Sequence, residues 1–296
     1  MFLKSRFSFG RSLEKYMPRF SLIVPTADRT VEFGRLLESL IAQDYPGVEL
    51  IVVDQNEDDR LTSYLDSVQS IFKLIHIRAP KEGASRARNV GLKSAHGEII
   101  AFPDDDCWYP PHLLTQIDKW FNENSTYDIL SVGALDDSGV PSGNRWFQSS
   151  CNITTVNALR TTFCNSLFFR RSSLPAQMEF DESFFPGEET DLVLRLMSSG
   201  LRARFDRTRH IGHPRRDMMS GTVSITRAVL YGQSIGRLTR KHGLFSLWAV
   251  LLGYDLCRAL AVMLTGRVKK AAYCFAHALG VFKGIWKTPT VQLVRH

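Results

Sequence analysis

The chain has 296 residues, of which 44% are hydrophobic and 23% charged, so its composition is that of a folded protein and excludes intrinsic disorder. Its five cysteines are scattered and never form a CxxC pair, which argues against a disulfide framework or a zinc site and indicates a reducing compartment. The net charge of +7 is unevenly divided, because residues 195–296 carry 18 Lys and Arg against three acids, whereas residues 1–194 carry 19 against 27.

Strands and helices are predicted to alternate through the first part of the chain, after a basic tail at 1–18 that lacks the apolar core of a signal peptide. Short apolar runs predict buried strands, and spacings of three and four residues between apolar side chains predict helices. The strands are expected at 20–25, 49–54, 72–77 and 98–102, and the helices at 33–41, 61–68, 84–94 and 113–121. This alternation predicts an α/β fold with a largely parallel sheet and helices on both faces.

Past residue 125 the alternation weakens. Strands are expected at 128–132 and 166–170, and a helix at 189–198. The last part of the chain, 236–296, has a different character and is predicted to be a basic and apolar helical region.

Carboxylates follow two of the predicted strands. Asp54 ends the second strand, and Asp104, Asp105 and Asp106 come directly after the fourth. Ligands of open α/β sheets bind at the carboxyl ends of strands, and three adjacent negative charges call for a cation such as Mg²⁺ or Mn²⁺. A solvated acidic turn is the alternative, since such turns are common.

Two predicted helices begin with polar side chains. The helix at 84–94 follows a glycine and carries Arg86, Arg88 and Asn89 in its first turns. Free N–H groups and guanidinium groups at a helix start suit a phosphate, although an exposed basic helix has the same pattern. The helix at 189–198 begins with Glu188, Glu189 and Asp191. Acids are favoured at that end by the helix dipole, so simple capping is the alternative there.

Taken in order, these segments resemble glycosyltransferase family 2, whose members are inverting enzymes with a GT-A fold. The resemblance covers about residues 20–213 and rests on five segments: 24–29, 52–54, 87–91, 97–106 with Pro111, and 187–192 with Arg195. It implies a Rossmann-like GT-A catalytic domain at 19–235. The nucleotide-binding half would be 19–125 and the acceptor half 126–235, followed by C-terminal amphipathic helices.

The resemblance also implies a nucleotide-diphosphate sugar as donor and a divalent metal, Mn²⁺ or Mg²⁺. Thr26 and Asp54 would hold the uracil and ribose side. The donor-binding residues would be Pro25, Thr26, Arg29, Asp54, Arg86, Asn89, Asp104 and Asp105. Asp104 and Asp106 would form the family's DxD element and bind the metal with His213, while the side chain of Asp105 is expected to point elsewhere.

A carboxylate on the acceptor side would take the proton of the attacking hydroxyl group. The family's base is the Asp of a Glu-Asp pair, and Glu189 occupies that position here. Asp191 and then Glu188 are the next candidates. The residues after Asp54 also depart from the family, which leaves recognition of the nucleobase open.

The apolar segment at 244–264 has the length of a membrane span but contains Asp255 and Arg258. Each charge would cost roughly 2.5–3.5 kcal/mol near a bilayer centre, which argues against a clean span. A second mixed helix is expected at 271–286. Basic residues beside Trp-bearing apolar helices predict peripheral attachment to an anionic membrane. A helical hairpin packed on the enzyme or on a second subunit is the alternative.

The sequence thus predicts an inverting glycosyltransferase that acts on a glycan or lipid-linked acceptor in surface polysaccharide or glycolipid synthesis. It is expected at the cytoplasmic face of the cell membrane, or otherwise in the cytoplasm, without a nucleic-acid partner and compatible with an oligomer. A nucleotidyltransferase of similar fold would need a Gly-rich, Lys-containing loop after the first strand, and residues 25–29 lack one. A non-catalytic protein that binds polyanions or membranes through its basic half is the other alternative.

Overall fold

A computed structural model describes residues 17–142, 149–215 and 223–286, so almost all of the predicted basic tail lies outside the described residues. The strands are β1 (Phe20–Thr26), β2 (Val48–Asp54), β3 (Lys73–Arg78), β4 (Ile99–Ala101), β5 (Ile129–Leu135), β6 (Cys151–Asn152), β7 (Leu167–Arg170) and β8 (Ala203–Gly212). The helices are α1 (Val31–Ile41), α2 (Thr62–Val68), α3 (Ala84–Leu92), α4 (Leu113–Glu123), α5 (Ala158–Thr161), α6 (Glu188–Ser198), α7 (Val223–Lys241), α8 (Phe245–Leu264) and α9 (Val268–Gly284).

The strands form one mixed sheet in the order β3-β2-β1-β4-β7-β5-β8-β6. β1 to β4 are parallel, β7 runs antiparallel between β4 and β5, β8 is parallel to β5, and β6 is antiparallel to β8. β1 and β2 are buried along their whole length, as expected for strands covered by helices on both faces. The predicted α/β fold with a mostly parallel sheet is confirmed.

A buried carboxylate fastens the amino ends of the parallel strands. Glu49 of β2 accepts hydrogen bonds from Ser21 of β1 (2.6 Å), from Lys73 of β3 (2.7 Å) and from the backbone N–H of His96 ahead of β4 (2.7 Å). Burial would raise the pKa of Glu49, but the bonds from Lys73 and Ser21 outweigh it and lower that pKa. The loops that form the candidate site follow the opposite, carboxyl ends of these strands.

Helices α7, α8 and α9 form a C-terminal unit in which α7 and α9 touch along their backbones. Gly232 and Gly236 of α7 face Gly280 and Gly284 of α9, and a Cβ atom on any of the four would overlap backbone atoms of the facing helix. The domain boundary predicted between 235 and 236 lies inside α7. Neither α7 nor β8 was predicted, because their apolar residues follow no clean period.

Substituting a crossing glycine tests this contact. Gly236→Ala should lower the free energy of unfolding by about 1–3 kcal/mol, because backbone atoms cannot move aside for the added methyl group. Urea denaturation measures the change. Gly253→Ala is the matched control, since Gly253 lies in α8 with open space around it and should gain up to about 1 kcal/mol from helix propensity. Equal stability of the two variants would contradict the close crossing.

Candidate active site

The candidate site lies where the chain reverses the direction in which it adds strands. From β1 the chain adds β2 and β3 on one side, and it then places β4 on the other side. Open α/β sheets bind ligands in the crevice at such a point, because the loops on its two sides diverge. The loop after β1 carries Arg29, and the loop after β4 carries the three aspartates 104–106, so predicted donor residues flank this crevice.

Arg29 joins the two sides of the crevice. Its Nη1 atom lies 2.5 Å from Oδ1 of Asp105 and 3.0 Å from Oδ2 of Asp106. Asp105 is buried, which raises the pKa of its carboxyl group, and the charge of Arg29 counteracts part of this effect. Arg29 and Asp105 are both predicted to bind the donor, but in the structure they bind each other.

Asp104, Asp106 and His213 come together as a group that could hold a divalent cation. One ligand atom of each lies within 4.8 Å of the other two, and Nε2 of His213 is 3.5 Å from Oδ1 of Asp106. Metal–oxygen bonds to Mg²⁺ are about 2.0–2.1 Å long, so three donor atoms this close fit a single small ion, and two carboxylates favour Mg²⁺ or Mn²⁺.

A backbone bridge sets the position of His213. Trp108 and Gly212 exchange two backbone hydrogen bonds, of 2.9 and 2.7 Å, just after the acidic loop and just before His213. A Cβ atom on Gly212 would overlap the indole ring of Trp108. The glycine therefore lets the end of β8 approach the acidic loop closely, a contact that no local sequence pattern indicates.

Arg88 joins the acidic loop to helix α6. It donates to Oδ1 of Asp104 (2.7 Å) and to Oε1 of Glu188 (3.1 Å), and its side chain is only 4% exposed. A buried guanidinium with two carboxylate partners fixes both of them through its planar fork of N–H donors. The segment Ala87-Arg88-Asn89 was the available sequence signal, but it does not indicate which residues Arg88 binds.

Helix α6 begins at Glu188 after Gly187, whose φ of 102° is a left-handed value that favours glycine. Glu188 is buried and held by Arg88. The next residue, Glu189, is partly exposed and makes no ion pair with any residue in the described ranges. Removal from water, together with the neighbouring Glu188 carboxylate, raises the pKa of Glu189 to about 8. Glu189 therefore keeps its proton to a higher pH than an exposed glutamate does.

Asp191 has a different environment. It is fully buried, with Oδ1 2.8 Å from Nζ of Lys241 and 2.9 Å from Nε2 of His242, and with Oδ2 2.8 Å from Nε of Arg195. Burial would raise the pKa of Asp191, but hydrogen bonds from His242, Lys241 and Arg195 outweigh this and lower it to about 2. The second candidate for the base thus anchors α6 to the end of α7.

Asp54 is also fully buried and already engaged. Its Oδ1 accepts hydrogen bonds from the backbone N–H (2.9 Å) and the side chain (2.7 Å) of Asn56, and its Oδ2 lies 3.0 Å from Nε2 of His76. Asn56 in turn accepts from the backbone N–H of Asp28 (2.7 Å), and Gln55 accepts from two backbone N–H groups at 82–83. The residues that depart from the family after Asp54 therefore tie together the loops on this side of the crevice. Pro25 and Thr26 lie buried in β1.

The two other residues predicted on α3 are engaged within the protein. Asn89 donates to the backbone oxygen of Phe180 (2.9 Å) and accepts from its N–H (2.7 Å). Arg86 is exposed and pairs with Glu82 at 2.6 Å and with Glu182 at 3.7 Å. The structure thus brings 104–106, His213, Arg29 and Glu189 around one crevice, whereas Asp54, Asn89 and Arg86 bind protein partners beside it.

The chain is similar in sequence to known proteins. The model of the family described as "Glycosyl transferase family 2" matches residues 21–173. A β-1,3-glucosyltransferase of Campylobacter jejuni, named for the acceptor GalNAc(5)-diNAcBac-PP-undecaprenol, is 28% identical over 182 residues, which are 59% of this chain and 58% of the relative. The poly(ribitol-phosphate) β-N-acetylglucosaminyltransferase TarS of Staphylococcus aureus is 27% identical over 147 residues, 48% of this chain and 26% of TarS.

Solved structures share the fold. Residues 1–349 of TarS superpose with a TM-score of 0.62 at 16% identity, covering 90% of this chain and 91% of that structure. A mannosyltransferase from Pyrobaculum calidifontis, in complex with GDP-Man and Mn²⁺, has a TM-score of 0.62 at 17% identity and covers 92% and 88%. These likenesses confirm the predicted GT-A fold. Since the family model also spans more than half of the chain, the protein belongs to glycosyltransferase family 2.

Proposed function

We propose that the protein is an inverting glycosyltransferase that moves a sugar from a nucleotide-diphosphate sugar to a hydroxyl group of a glycan or lipid-linked acceptor. The observation that carries this proposal is the Arg88 bridge, which places the group Asp104, Asp106 and His213 next to the start of α6, where Glu189 lies. Family membership supports it, as do relatives named for polymer and lipid-linked acceptors. Surface polysaccharide or glycolipid synthesis follows as the proposed setting.

Asp104, Asp106 and His213 would hold the divalent metal, Mn²⁺ or Mg²⁺. When bound, such an ion supplies positive charge against the leaving diphosphate. Two structures of similar fold support a nucleotide-sugar donor and a metal of this kind. They are TarS 1–349 in complex with UDP-GlcNAc and the mannosyltransferase in complex with GDP-Man and Mn²⁺. Arg88 keeps Asp104 in position for this task, and Arg29 neutralises Asp105 and one oxygen of Asp106.

Glu189 is the proposed general base. A bond forms between the acceptor oxygen and the anomeric carbon as the bond from that carbon to the diphosphate breaks, and the acceptor proton passes to Glu189. A single displacement inverts the configuration at the anomeric carbon. The raised pKa makes this carboxylate, once it is ionised, a stronger proton acceptor than an ordinary glutamate. Asp191, whose pKa is about 2, is a much weaker base.

The proposed location is the cytoplasmic face of the membrane, with peripheral attachment through the C-terminal helices. The relative with a polyprenyl-linked acceptor supports it. So does α8, which among the described residues is the one helix long and apolar enough for a membrane span, with a mean hydropathy of 1.7.

Removing a metal ligand tests the donor site. Asp106→Asn should weaken Mn²⁺-dependent binding of UDP, GDP or dTDP by at least about 100-fold, since one of two carboxylates loses its charge. Isothermal titration calorimetry with and without Mn²⁺ measures it. Asp137→Asn, an exposed acid paired with Arg35, is the matched control and should bind like the unchanged protein. If no nucleotide binds in a metal-dependent way to the unchanged protein, the enzyme proposal fails.

Removing the base should separate binding from transfer. Glu189→Gln should keep metal-dependent nucleotide affinity within about twofold while sugar transfer falls by roughly 10²–10⁴-fold, the usual contribution of a general base. A donor screen that follows nucleotide release in the presence of acceptor measures transfer, and calorimetry measures binding. Sugar transfer at an undiminished rate in Glu189→Gln would show that another residue is the general base.

The rate should also depend on pH in a definite direction. Glu189 must be ionised to accept a proton, so kcat/KM should rise with pH and level off near pH 8, falling about tenfold per pH unit well below it. A pH series with one donor and one acceptor measures this rise of kcat/KM. The residual activity of Glu189→Gln should not show this rise of kcat/KM with pH. The same rise in that variant would assign the titration to another group.

A further inference from the structure

The helical hairpin α8–α9 has its polar pair inside and its apolar side chains outside. Within α8 only Asp255 and Ala259 are buried. The exposed apolar residues of α8 are Phe245, Val250, Tyr254, Leu256, Leu260, Met263 and Leu264, the last of them 89% exposed. A helix on the surface of a soluble domain shows the reverse pattern, with its polar face outward.

Helix α9 continues the exposed apolar surface. Its exposed apolar side chains recur at helical spacing along one face: Val268, Ala272, Phe275, Leu279, Phe282 and, just beyond its end, Trp286. The opposite face of α9 is buried against the glycines of α7. The hairpin therefore presents two adjacent apolar helix faces, which is more exposed apolar surface than isolated hydrophobic residues would give.

The buried pair explains how α8 can turn its apolar side outward. Oδ2 of Asp255 lies 2.6 Å from Nδ1 of His277 on α9, and both residues are buried. The carboxylate that the sequence analysis counted against a clean membrane span is thus enclosed between the two helices. Ionisable residues of helices in lipid face the protein interior and pair there in the same way.

The charges of the hairpin favour anionic lipid over a second copy of the chain. Between 245 and 284 the basic residues are Arg258, Arg267, Lys269, Lys270 and Lys283, and the one acid is the buried Asp255. Two such surfaces would repel each other, whereas each Lys or Arg near an anionic leaflet gains about 1 kcal/mol.

The distribution of these charges also indicates an orientation. Arg267, Lys269 and Lys270 lie at the turn between the helices, and Lys283 lies at the open end beside Trp286, which is 74% exposed. A hairpin standing across a bilayer would place the exposed Arg258, which lies inside α8, within the apolar layer. A hairpin lying flat keeps both groups among the headgroups, the depth that Trp also prefers.

We infer that the exposed face of α8–α9 is a lipid-docking surface that lies flat in the anionic leaflet of a membrane. This inference rests on the membrane location in the proposed function and adds the residues that enter the lipid and their orientation. Because α7 joins the hairpin to α6 through Lys241, His242 and Asp191, docking would hold the catalytic crevice at a fixed height above the lipid.

Vesicle binding by the purified full-length protein tests the surface. It should co-sediment with phosphatidylglycerol–phosphatidylcholine vesicles, and less with phosphatidylcholine alone. Leu260→Glu should weaken binding at least about tenfold, since a Leu side chain leaves the lipid and a charge replaces it. Ile71→Glu, at an equally exposed apolar residue on the catalytic domain, is the matched control and should bind normally. Unchanged binding by Leu260→Glu, with a normal circular dichroism spectrum, would overturn the inference.

A second measurement tests the flat orientation. Thr265→Cys in a background that carries Cys151→Ser and Cys257→Ser places a thiol at the turn of the hairpin, to be labelled by a membrane-impermeant maleimide added outside the vesicles. Full labelling supports the flat orientation, and protection of the thiol inside the vesicle would overturn it in favour of a span.

The remaining outcomes separate this inference from the proposed function. If light scattering shows a dimer that Leu260→Glu converts to a monomer, and no vesicles bind, the surface is a subunit interface and the lipid inference is wrong. Mn²⁺-dependent nucleotide binding in that same sample would leave the glycosyltransferase proposal standing. Vesicle binding without any metal-dependent nucleotide binding would support the lipid-docking surface and contradict the enzyme proposal.

Discussion

The buried guanidinium of Arg88 is the interaction on which the candidate site depends. A cation taken out of water is stable only with paired carboxylates, and Asp104 and Glu188 supply them from opposite sides of the crevice. The requirement works in both directions, because without Arg88 the buried Glu188 and the half-buried Asp104 would have no positive charge between them. The pairing of Arg88 with both carboxylates thereby fixes the loop after β4 against the start of α6. The donor-side acids and the proposed base come to share one crevice for this reason.

Similar buried pairs continue away from the crevice. Asp191 ties α6 to the end of α7 through Lys241 and His242, and Asp255 ties α8 to α9 through His277. Each pair is costly if broken, since one partner would remain charged or polar in an apolar surrounding. The chain thus has a continuous set of defined contacts from the sheet to the outer surface of the helical hairpin. Such contacts specify orientation more than they add stability.

The sequence was most informative where one local rule sufficed. Continuous apolar runs identified β1 and β2 because strands covered on both faces need no polar side chains, and the spacing of apolar residues identified α1 and α4. It was least informative for α7 and β8, whose positions depend on distant partners. The four glycines between α7 and α9 illustrate the difficulty, since each is unremarkable until the facing helix is known.

For the candidate site, the amino-acid sequence alone shows which chemical groups are present and at which strand and helix ends they lie. The order of Asp54, the Arg88–Asn89 helix, the triplet 104–106 and the acids of α6 was enough to indicate the family. Which of these groups bind each other and which stay available is visible only in the folded chain. Asp54, Asp191 and Asn89 bind protein donors or backbone groups, whereas Glu189 makes no ion pair within the described ranges and has a raised pKa. The physical reason is that a carboxylate's pKa and availability are set by burial and by neighbouring charges, which come from residues far away along the chain.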